Sequence, residues 1–350
     1  MSSMGGIRTA VIGFGTGGRV FHAPLLAADP RFSVDFIVTA NAERQRQARA
    51  AHPTAAILGD IHELFRRTSQ VDLLVVSTPP SSHYEIARAG LQHGLAVVVD
   101  KPFVVKAAQG RELIAEAQSR GLLLTVFQNR RYDGDFLTIQ RMVREGSLGK
   151  IHSLESRFEW WKPEETKAWK AHAGAEAGGG ILFDLGPHLL DQACQLFGPV
   201  ASVHAELRRY RNGEGADDEA FVSLEHAGGV RTHAAMSSLA PLERPRFTLV
   251  GSATGYVKWG LDIQESQLKQ GMSPLADGYG EEPEPQWGRL GSRESQSAVP
   301  TEPGRYGDFY AALATALSNG TPPPVDSAEA LAVIELIEEI YGSTPISRPR

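Results

Sequence analysis

Short, uninterrupted apolar runs alternate with stretches of helical periodicity through the first third of the chain. The runs with the length of buried strands are 8–13, 33–39, 71–77, 96–99 and 122–127. The stretches between them with helical spacing are 20–28, 42–51, 62–66, 84–93 and 107–120. A strand covered by helices on both faces of its sheet is apolar throughout, whereas a half-exposed strand alternates. This part of the chain therefore predicts an α/β fold of the Rossmann type, a doubly wound parallel sheet over residues 1–128.

The pattern changes after residue 128. Strand-like stretches now follow one another with few helices between them, at 151–161, 202–211, 220–226, 230–238, 246–250 and 256–259. They predict a C-terminal α+β domain, residues 129–350, with an open and mainly antiparallel sheet. Residues 270–304 are rich in Gly, Pro, Glu and Ser, which predicts a long surface excursion or a poorly ordered loop. Helical patterns at 306–317 and 327–341 end the chain, and these last helices are able to pack back on the first domain.

Composition and charge narrow the classes of function. The chain has 350 residues, 42% of them hydrophobic and 22% charged, and a formal net charge of -6, which disfavours a nucleic-acid partner. No segment has the pattern of a signal peptide or a membrane span, so a cytoplasmic protein without a membrane partner is expected. Cys194 is the only cysteine, and no Cys/His spacing predicts a metal site.

A glycine motif, GxGxxG, closes the first predicted strand and leads into a helical stretch. Gly13 allows a tight turn, Gly15 lets the backbone approach a pyrophosphate, and Gly18 allows the helix to pack closely on the strand. The motif alone is weak, but its position between a strand and a helix of a βαβ pattern predicts a dinucleotide site.

The end of the second strand bears on the identity of the dinucleotide. An Asp or Glu there commonly binds the ribose 2′-hydroxyl, but this chain has Thr39, Ala40 and Asn41, with Arg44 soon after. The missing acid favours NADP over NAD. NAD stays possible as the cofactor for two reasons: Arg44 could be a solvated helix residue, and Glu43 lies beside it.

Other candidates follow the later strands of the first domain. Ser77, Thr78 and Pro79 end the next strand, where the cofactor crevice is expected, although such residues are also common in turns. Lys101 follows a buried strand, where its ammonium could contact the cofactor and stabilise charge on a reacting oxygen; a solvated strand end is the alternative. His22 is expected to pack the first helix or to lie at the edge of the cofactor.

Asp184 and His188 follow a glycine run and lie four residues apart. Because Pro187 is tolerated only near a helix start, both side chains are expected around one helix N-terminus. Histidine titrates in the range suited to removing a hydroxyl proton during hydride transfer, and Asp184 could orient the imidazole or bind a substrate hydroxyl. A helix cap or a surface pair is the structural alternative.

Candidate substrate contacts lie in the second domain. Asn129 and Arg130 follow the last Rossmann strand and could present hydrogen-bond donors, or the arginines 130 and 131 could form an interdomain ionic hinge. Trp161 and Trp169 could line a sugar pocket, although sheet packing or an oligomer contact is the expected role of at least one tryptophan.

Four segments together resemble one family of enzymes. GFGTGGRVFHAPLL, VVSTPPSSHYEIARAGLQHGLAVVVDKPF, VFQNRRYDGDF and GGGILFDLGPHLLDQACQLFG are similar to the glucose-fructose oxidoreductase, inositol dehydrogenase and MocA-like (Gfo/Idh/MocA) family, most of all to its scyllo-inositol dehydrogenase group. The resemblance implies NAD(P)-dependent oxidation of a cyclic polyol or sugar. It assigns the general base to His188, polarisation of the substrate oxygen to Lys101, and positioning to Asp184. It also implies a homo-oligomer, a dimer or a tetramer.

Two functions of other classes fit the same residues. One is a glycosidase that uses a bound nicotinamide transiently, and it would release sugar without net reduction of the cofactor. The other is a non-catalytic sensor that binds the cofactor, which the conjunction of Lys101, Asp184 and His188 disfavours.

Overall fold

The computed structural model describes residues 6–164, 174–212 and 215–348. They form two compact units, and each unit is built from more than one stretch of the chain. The first comprises the described residues of Met1–Asn129, Gln264–Tyr279 and Arg305–Leu331, and the second comprises those of Arg130–Ile263, Gly280–Gly304 and Ala332–Arg350.

Strands and helices are numbered along the chain. The strands are β1 Ile7–Ile12, β2 Phe32–Val38, β3 Ala56–Leu58, β4 Leu73–Val76, β5 Ala96–Asp100, β6 Leu124–Phe127, β7 Ile151–Glu159, β8 Val200–Arg208, β9 Glu219–His226, β10 Arg231–Ser237, β11 Phe247–Gly251, β12 Gly255–Lys258, β13 Gly288–Gly291, β14 Gln296–Val299 and β15 Ile346–Ser347. The α-helices are α1 Ala23–Ala28, α2 Ala42–Ala51, α3 Ile61–Phe65, α4 His83–Gln92, α5 Ala107–Arg120, α6 Gly134–Glu145, α7 Ile181–Phe197, α8 Gln264–Lys269, α9 Tyr306–Asn319 and α10 Ser327–Ser343.

A six-stranded parallel sheet is the centre of the first unit. Its strand order is β3-β2-β1-β4-β5-β6, which confirms the predicted doubly wound Rossmann fold. The apolar runs in β4 and β6 are buried at every position, as expected for strands covered on both faces. The order reverses beside β1, so the carboxyl ends of β1 and β4 meet at the point where such folds bind ligands.

A nine-stranded sheet is the centre of the second unit. Its order is β14-β13-β12-β11-β7-β10-β9-β8-β15, and its pairings are antiparallel except β7 with β10 and β8 with β15. Burial alternates along β9, as in a sheet with one face in the core. On that face, Phe136 and Ile139 of α6 pack with Leu154, Phe247 and Leu249. The predicted mainly antiparallel sheet is confirmed.

Residues 270–304 are more ordered than the sequence predicted. They include β13 and β14, a hairpin that pairs with β12 and extends the sheet. The buried ammonium of Lys258 on β12 lies 2.8 Å from a carboxylate oxygen of Glu282, whose other oxygen accepts a hydrogen bond from Thr301. The alternative of a poorly ordered loop was wrong, because these short strands are ordered by pairing with β12 and with each other, not by a hydrophobic pattern of their own.

The helix that carries Asp184 and His188 also differs from expectation. It begins at Ile181, so Pro187 lies inside it and not near its start. A proline there removes a helical hydrogen bond and costs about 3 kcal/mol. Burial offsets this cost, because every residue from Ile181 to Ala193 except Asp184 is buried.

Candidate functional site

The glycine turn after β1 is packed too tightly for larger residues at two of its three positions. Gly13 has a φ of 95°, and its N–H donates to the carbonyl of Val38 at 2.9 Å. A Cβ on Gly13 would lie 2.2 Å from the carbonyl oxygen of Ser77, and one on Gly18 would lie 2.0 Å from that of Gly13. The turn therefore joins the carboxyl ends of β1, β2 and β4 and leads into the helical residues 17–28.

Gly15 has a different neighbour. A Cβ at this position would meet no backbone, and its nearest atom would be Nη1 of Arg44, 3.7 Å away. An exposed guanidinium therefore lies against the turn where the motif predicts a pyrophosphate and the adjoining ribose. The lack of a side chain at Gly15 and the positive charge of Arg44 both fit a phosphorylated dinucleotide.

The residues after β2 have assigned roles in the fold. Asn41 caps α2, because its side chain accepts the N–H of Arg44 at 3.0 Å. Thr39 is buried, and its carbonyl accepts a hydrogen bond from Gln45. Glu43 is the acid beside Arg44 that left NAD open as the cofactor. Its carboxylate is bound by Arg46 and Gln47.

Ser77, Thr78 and Pro79 follow β4 beside the glycine turn. The N–H of Ser77 donates to the carbonyl of Ile12 at 2.8 Å, which fixes the end of β4 against β1. The carbonyl oxygen of Thr78 lies 2.9 Å from Nε2 of buried His83, and burial lowers the pKa of that imidazole. The hydroxyl of Ser77 donates a hydrogen bond to a carboxylate oxygen of Asp100, 3.0 Å away.

Asp100 connects Lys101 to this turn, and the sequence prediction did not single it out. One carboxylate oxygen accepts the backbone N–H of Lys101 at 2.9 Å, and the other accepts the hydroxyl of Ser77. A Cβ on Gly17 would lie 2.4 Å from the second oxygen, so the carboxylate touches the backbone of the turn. Burial favours the neutral acid, but the hydrogen bond from His22 and the charges of His22, His83 and Lys101 outweigh it and lower the pKa of Asp100.

Asp184 and His188 lie one turn apart on α7 in the second unit. Asp184 is partly exposed, whereas His188 is 5% exposed and its ring centroid lies 6.1 Å from that of Phe158. Phe158 also carries the guanidinium groups of Arg130 and Arg246 over its ring. A cationic and aromatic environment therefore surrounds the face of α7 that presents the imidazole.

Asp217 holds the start of α7 and was also missed by the sequence prediction. Its carbonyl accepts the N–H of Ile181 at 2.9 Å, and its carboxylate accepts the N–H of Leu182 at 2.8 Å and the hydroxyl of Tyr341 at 2.5 Å. These bonds satisfy N–H groups that a helix start leaves open. Burial raises the pKa of Asp217 from 3.8 to about 6.

The raised pKa of Asp217 predicts a pH dependence of stability. The folded chain holds this proton more tightly than the unfolded chain, so the stabilisation is complete below pH 4 and is lost as the pH rises through about 6. The free energy of unfolding falls by about 3 kcal/mol over this pH range. Asp217→Asn keeps the shape without the titration. In urea unfolding, the free energy of wild type minus that of Asp217→Asn should therefore rise by this amount from pH 7 to pH 4.

A second variant tests the cause of that pH dependence. Tyr341→Phe removes a hydrogen bond that stabilises the ionised carboxylate, which raises the pKa of Asp217 further. The stability of this variant should therefore decline up to a higher pH than that of wild type. Parallel pH profiles of stability in wild type and Asp217→Asn would contradict the assignment.

The predicted substrate contacts have mixed surroundings. Asn129 is buried in the first unit. Arg130 is buried in the second, with Nη1 3.4 Å from Asp133, and Arg131 makes two hydrogen bonds, at 2.8 and 2.6 Å, to Asp191. Trp161 is 56% exposed and forms a β-bridge with Leu239, and Trp169 lies outside the described residues.

Comparison with known proteins identifies the family. The model of an oxidoreductase family with an NAD-binding Rossmann fold matches residues 7–128, and the model of the GFO/IDH/MocA C-terminal domain matches residues 136–257. The chain belongs to the Gfo/Idh/MocA oxidoreductases. The predicted resemblance is confirmed.

Individual Gfo/Idh/MocA relatives match over almost their whole length. The chain is 38% identical to an uncharacterized oxidoreductase, YdgJ, of Escherichia coli, over 95% of this chain and 94% of that protein. It is 31% identical to the scyllo-inositol 2-dehydrogenase (NADP(+)) of Bacillus subtilis, over 98% and 95%. The solved structure of the oxidoreductase yvaA of Bacillus subtilis has a TM-score of 0.91 and 30% identity, and the match covers 98% of this chain and 97% of that one. These matches confirm that the chain is an oxidoreductase.

Two features are absent from the described part of this Gfo/Idh/MocA chain. Within residues 6–164, 174–212 and 215–348, no three His, Cys, Asp or Glu side chains are grouped to hold a metal ion. Over the same residues, no helix has both the length and the apolar character needed to cross a bilayer.

Proposed function

We propose that this chain is an NADP-preferring dehydrogenase or reductase that acts on a carbinol carbon of a cyclic polyol or sugar. The observation that carries the proposal is the contact of Asp100 with both the glycine turn and the backbone of Lys101. Through Asp100, this contact links Lys101 to the turn that the motif assigns to the dinucleotide, which supports a role of the lysine at the cofactor. The 31% identity to a scyllo-inositol 2-dehydrogenase supports the class of substrate.

Three residues carry the chemistry in this proposal. His188 removes the hydroxyl proton of the substrate, Lys101 donates a hydrogen bond to the reacting oxygen, and Asp184 orients either the imidazole or a neighbouring hydroxyl. A bound nicotinamide supplies the hydride acceptor or donor. Further substrate contacts are assigned to Asn129, Arg130, Trp161 and Trp169.

The proposal also assigns cofactor binding and substrate binding to different parts of the chain. Residues 1–128 bind the cofactor, and residues 129–350 bind the substrate and form the contacts of a homodimer or homotetramer. Gly13, Gly15 and Gly18 hold the pyrophosphate. Thr39, Asn41 and Arg44 contact the adenosine ribose, and Ser77, Thr78, Pro79 and Lys101 line the rest of the cofactor site.

A substrate screen tests the proposed function. Inositols, other cyclic polyols and sugars are incubated with NAD or NADP, and the absorbance of the reduced nicotinamide is followed. We expect steady reduction of NADP by at least one cyclic polyol. Cleavage of glycosides without net reduction would contradict the proposal, as would failure of every polyol and sugar with both cofactors.

The cofactor preference is tested at Arg44. Loss of a charge-assisted hydrogen bond costs about 1.5–3 kcal/mol, so Arg44→Ala should lower kcat/KM for NADP by about tenfold to a hundredfold and change that for NAD little. Arg49→Ala, on the same exposed helix, is the matched control for the loss of one positive charge. An equal effect of both variants on NADP would contradict the role of Arg44.

A further inference from the structure

His22 is a buried titratable side chain of the first unit that the proposed mechanism does not use. His22 is fully buried at the end of a π-helical turn, Gly17–His22, that continues the glycine motif. Such turns are frequent at functional sites. The His22 ring packs on Phe127, with ring centroids 4.4 Å apart.

The polar neighbours of His22 fix the direction in which it donates. Its Nδ1 lies 2.6 Å from the hydroxyl of Tyr310 on α9, and its Nε2 lies 3.5 Å from a carboxylate oxygen of Asp100. The pKa of Tyr310 is raised by burial and by the charge of Asp100, so its hydroxyl keeps a proton that is available for donation to Nδ1. Because the carboxylate can only accept, it favours a proton on Nε2, which leaves Nδ1 to accept the hydroxyl of Tyr310.

The Asp100 carboxylate is held on both of its oxygens. One accepts the N–H of Lys101, and the other accepts the hydroxyl of Ser77 and lies 3.5 Å from Nε2 of His22. The carboxylate is only 21% exposed, so water has limited access to replace these partners. A rotation of the carboxylate away from His22 would also remove the acceptor of the Lys101 N–H.

We propose that the chain of contacts Tyr310–His22–Asp100 positions Lys101 for the reaction, with His22 and Tyr310 as positioning residues that touch neither substrate nor cofactor. This inference rests on the proposed role of Lys101. It assigns a role to His22 beyond packing of the first helix. It also makes the glycine turn and the lysine parts of one assembly of contacts, because Gly17 packs against the same carboxylate.

Paired variants of His22 separate positioning from packing. His22→Leu fills the space without donating, so kcat should fall by about tenfold to a hundredfold while KM for polyol and for NADP stays close to wild type. His22→Gln places an amide N–H near the position of Nε2 and should restore most of kcat. Tyr310→Phe keeps the ring and removes the hydroxyl, so kcat should fall by about twofold to tenfold.

Phe309→Leu is the matched control for these variants. Phe309 is buried beside Tyr310 on α9 and packs on Phe127, and its side chain has no polar atom that could hydrogen-bond to the carboxylate. This variant should lower the melting temperature and leave kcat near wild type. Equal kcat in His22→Leu and wild type would overturn the inference, as would a fall of kcat in Phe309→Leu as large as in His22→Leu.

A readout without substrate keeps this test independent of the proposed function. Hydrogen exchange of the Lys101 amide, measured by mass spectrometry of peptides that span β5 and Lys101, should accelerate about tenfold in His22→Leu. It should accelerate less in Tyr310→Phe and stay unchanged in Phe309→Leu. Inactive wild type in the substrate screen would reject the proposed function alone, whereas unchanged exchange in His22→Leu would reject the positioning of Lys101.

Discussion

Replacement of His188 by alanine should lower kcat by about a hundredfold to ten-thousandfold, the range typical for loss of a general base. The buried imidazole lies on α7 one turn from Asp184, and the helix start is held by Asp217. Hydride transfer from a carbinol requires loss of the hydroxyl proton, and alanine cannot accept it. The affinity for NADPH, measured by nicotinamide fluorescence, should change little, because the predicted cofactor residues belong to the first unit.

His226→Gln is the control for loss of a buried histidine in the same unit. His226 is paired with the carbonyl of Gly198 and the hydroxyl of Thr232, so its replacement should reduce stability and leave kcat near wild type. If His188→Ala retained most of its turnover, the general base would have to be another group.

Replacement of Gly18 by alanine should abolish tight cofactor binding and lower stability. The added methyl would lie 2.0 Å from the carbonyl oxygen of Gly13 and 3.4 Å from Val11. A side chain could rotate away, but the closest atom belongs to the backbone of the turn that holds the pyrophosphate in the proposal. We expect the dissociation constant for NADPH to rise by more than about tenfold and the unfolding free energy to fall by about 1–3 kcal/mol.

Gly228→Ala is the matched control for the glycine substitution. It adds the same methyl group at a position where no heavy atom lies within 4 Å and φ is outside the left-handed region. NADPH titration and thermal unfolding of this variant should resemble wild type. Unchanged NADPH affinity in Gly18→Ala would show that the turn tolerates the displacement.

The first sheet could be predicted from sequence because its strands are buried on both faces. The run Val97, Val98 and Val99 has one explanation, a strand inside a parallel sheet, and the observed β5 includes it. The three-residue β3 gave no such signal. The helix α6 was missed because its amphipathic pattern lies next to the change between the two sheets, and β13 and β14 were missed because pairing with β12 is what orders them.

The candidate site also contains residues that the sequence predicts and residues that it does not. The glycine motif and Lys101 follow strands whose ends the sequence predicts, so their neighbourhood could be inferred. Asp217 acts through Tyr341, 124 residues away, and His22 acts through Tyr310, 288 residues away. No local pattern shows either pairing. The only signal for Asp100 was its place directly before Lys101.

The position of α9 in the first unit limits how the protein can be divided for study. Phe309 packs on Phe127 of β6, and Tyr310 bonds to His22, yet both residues lie more than 170 positions beyond the end of β6. An expression fragment truncated after β6 would expose these aromatic surfaces and would leave His22 without its hydroxyl partner. A cofactor-binding fragment that is to be produced by itself therefore needs residues 305–331 grafted back through a linker.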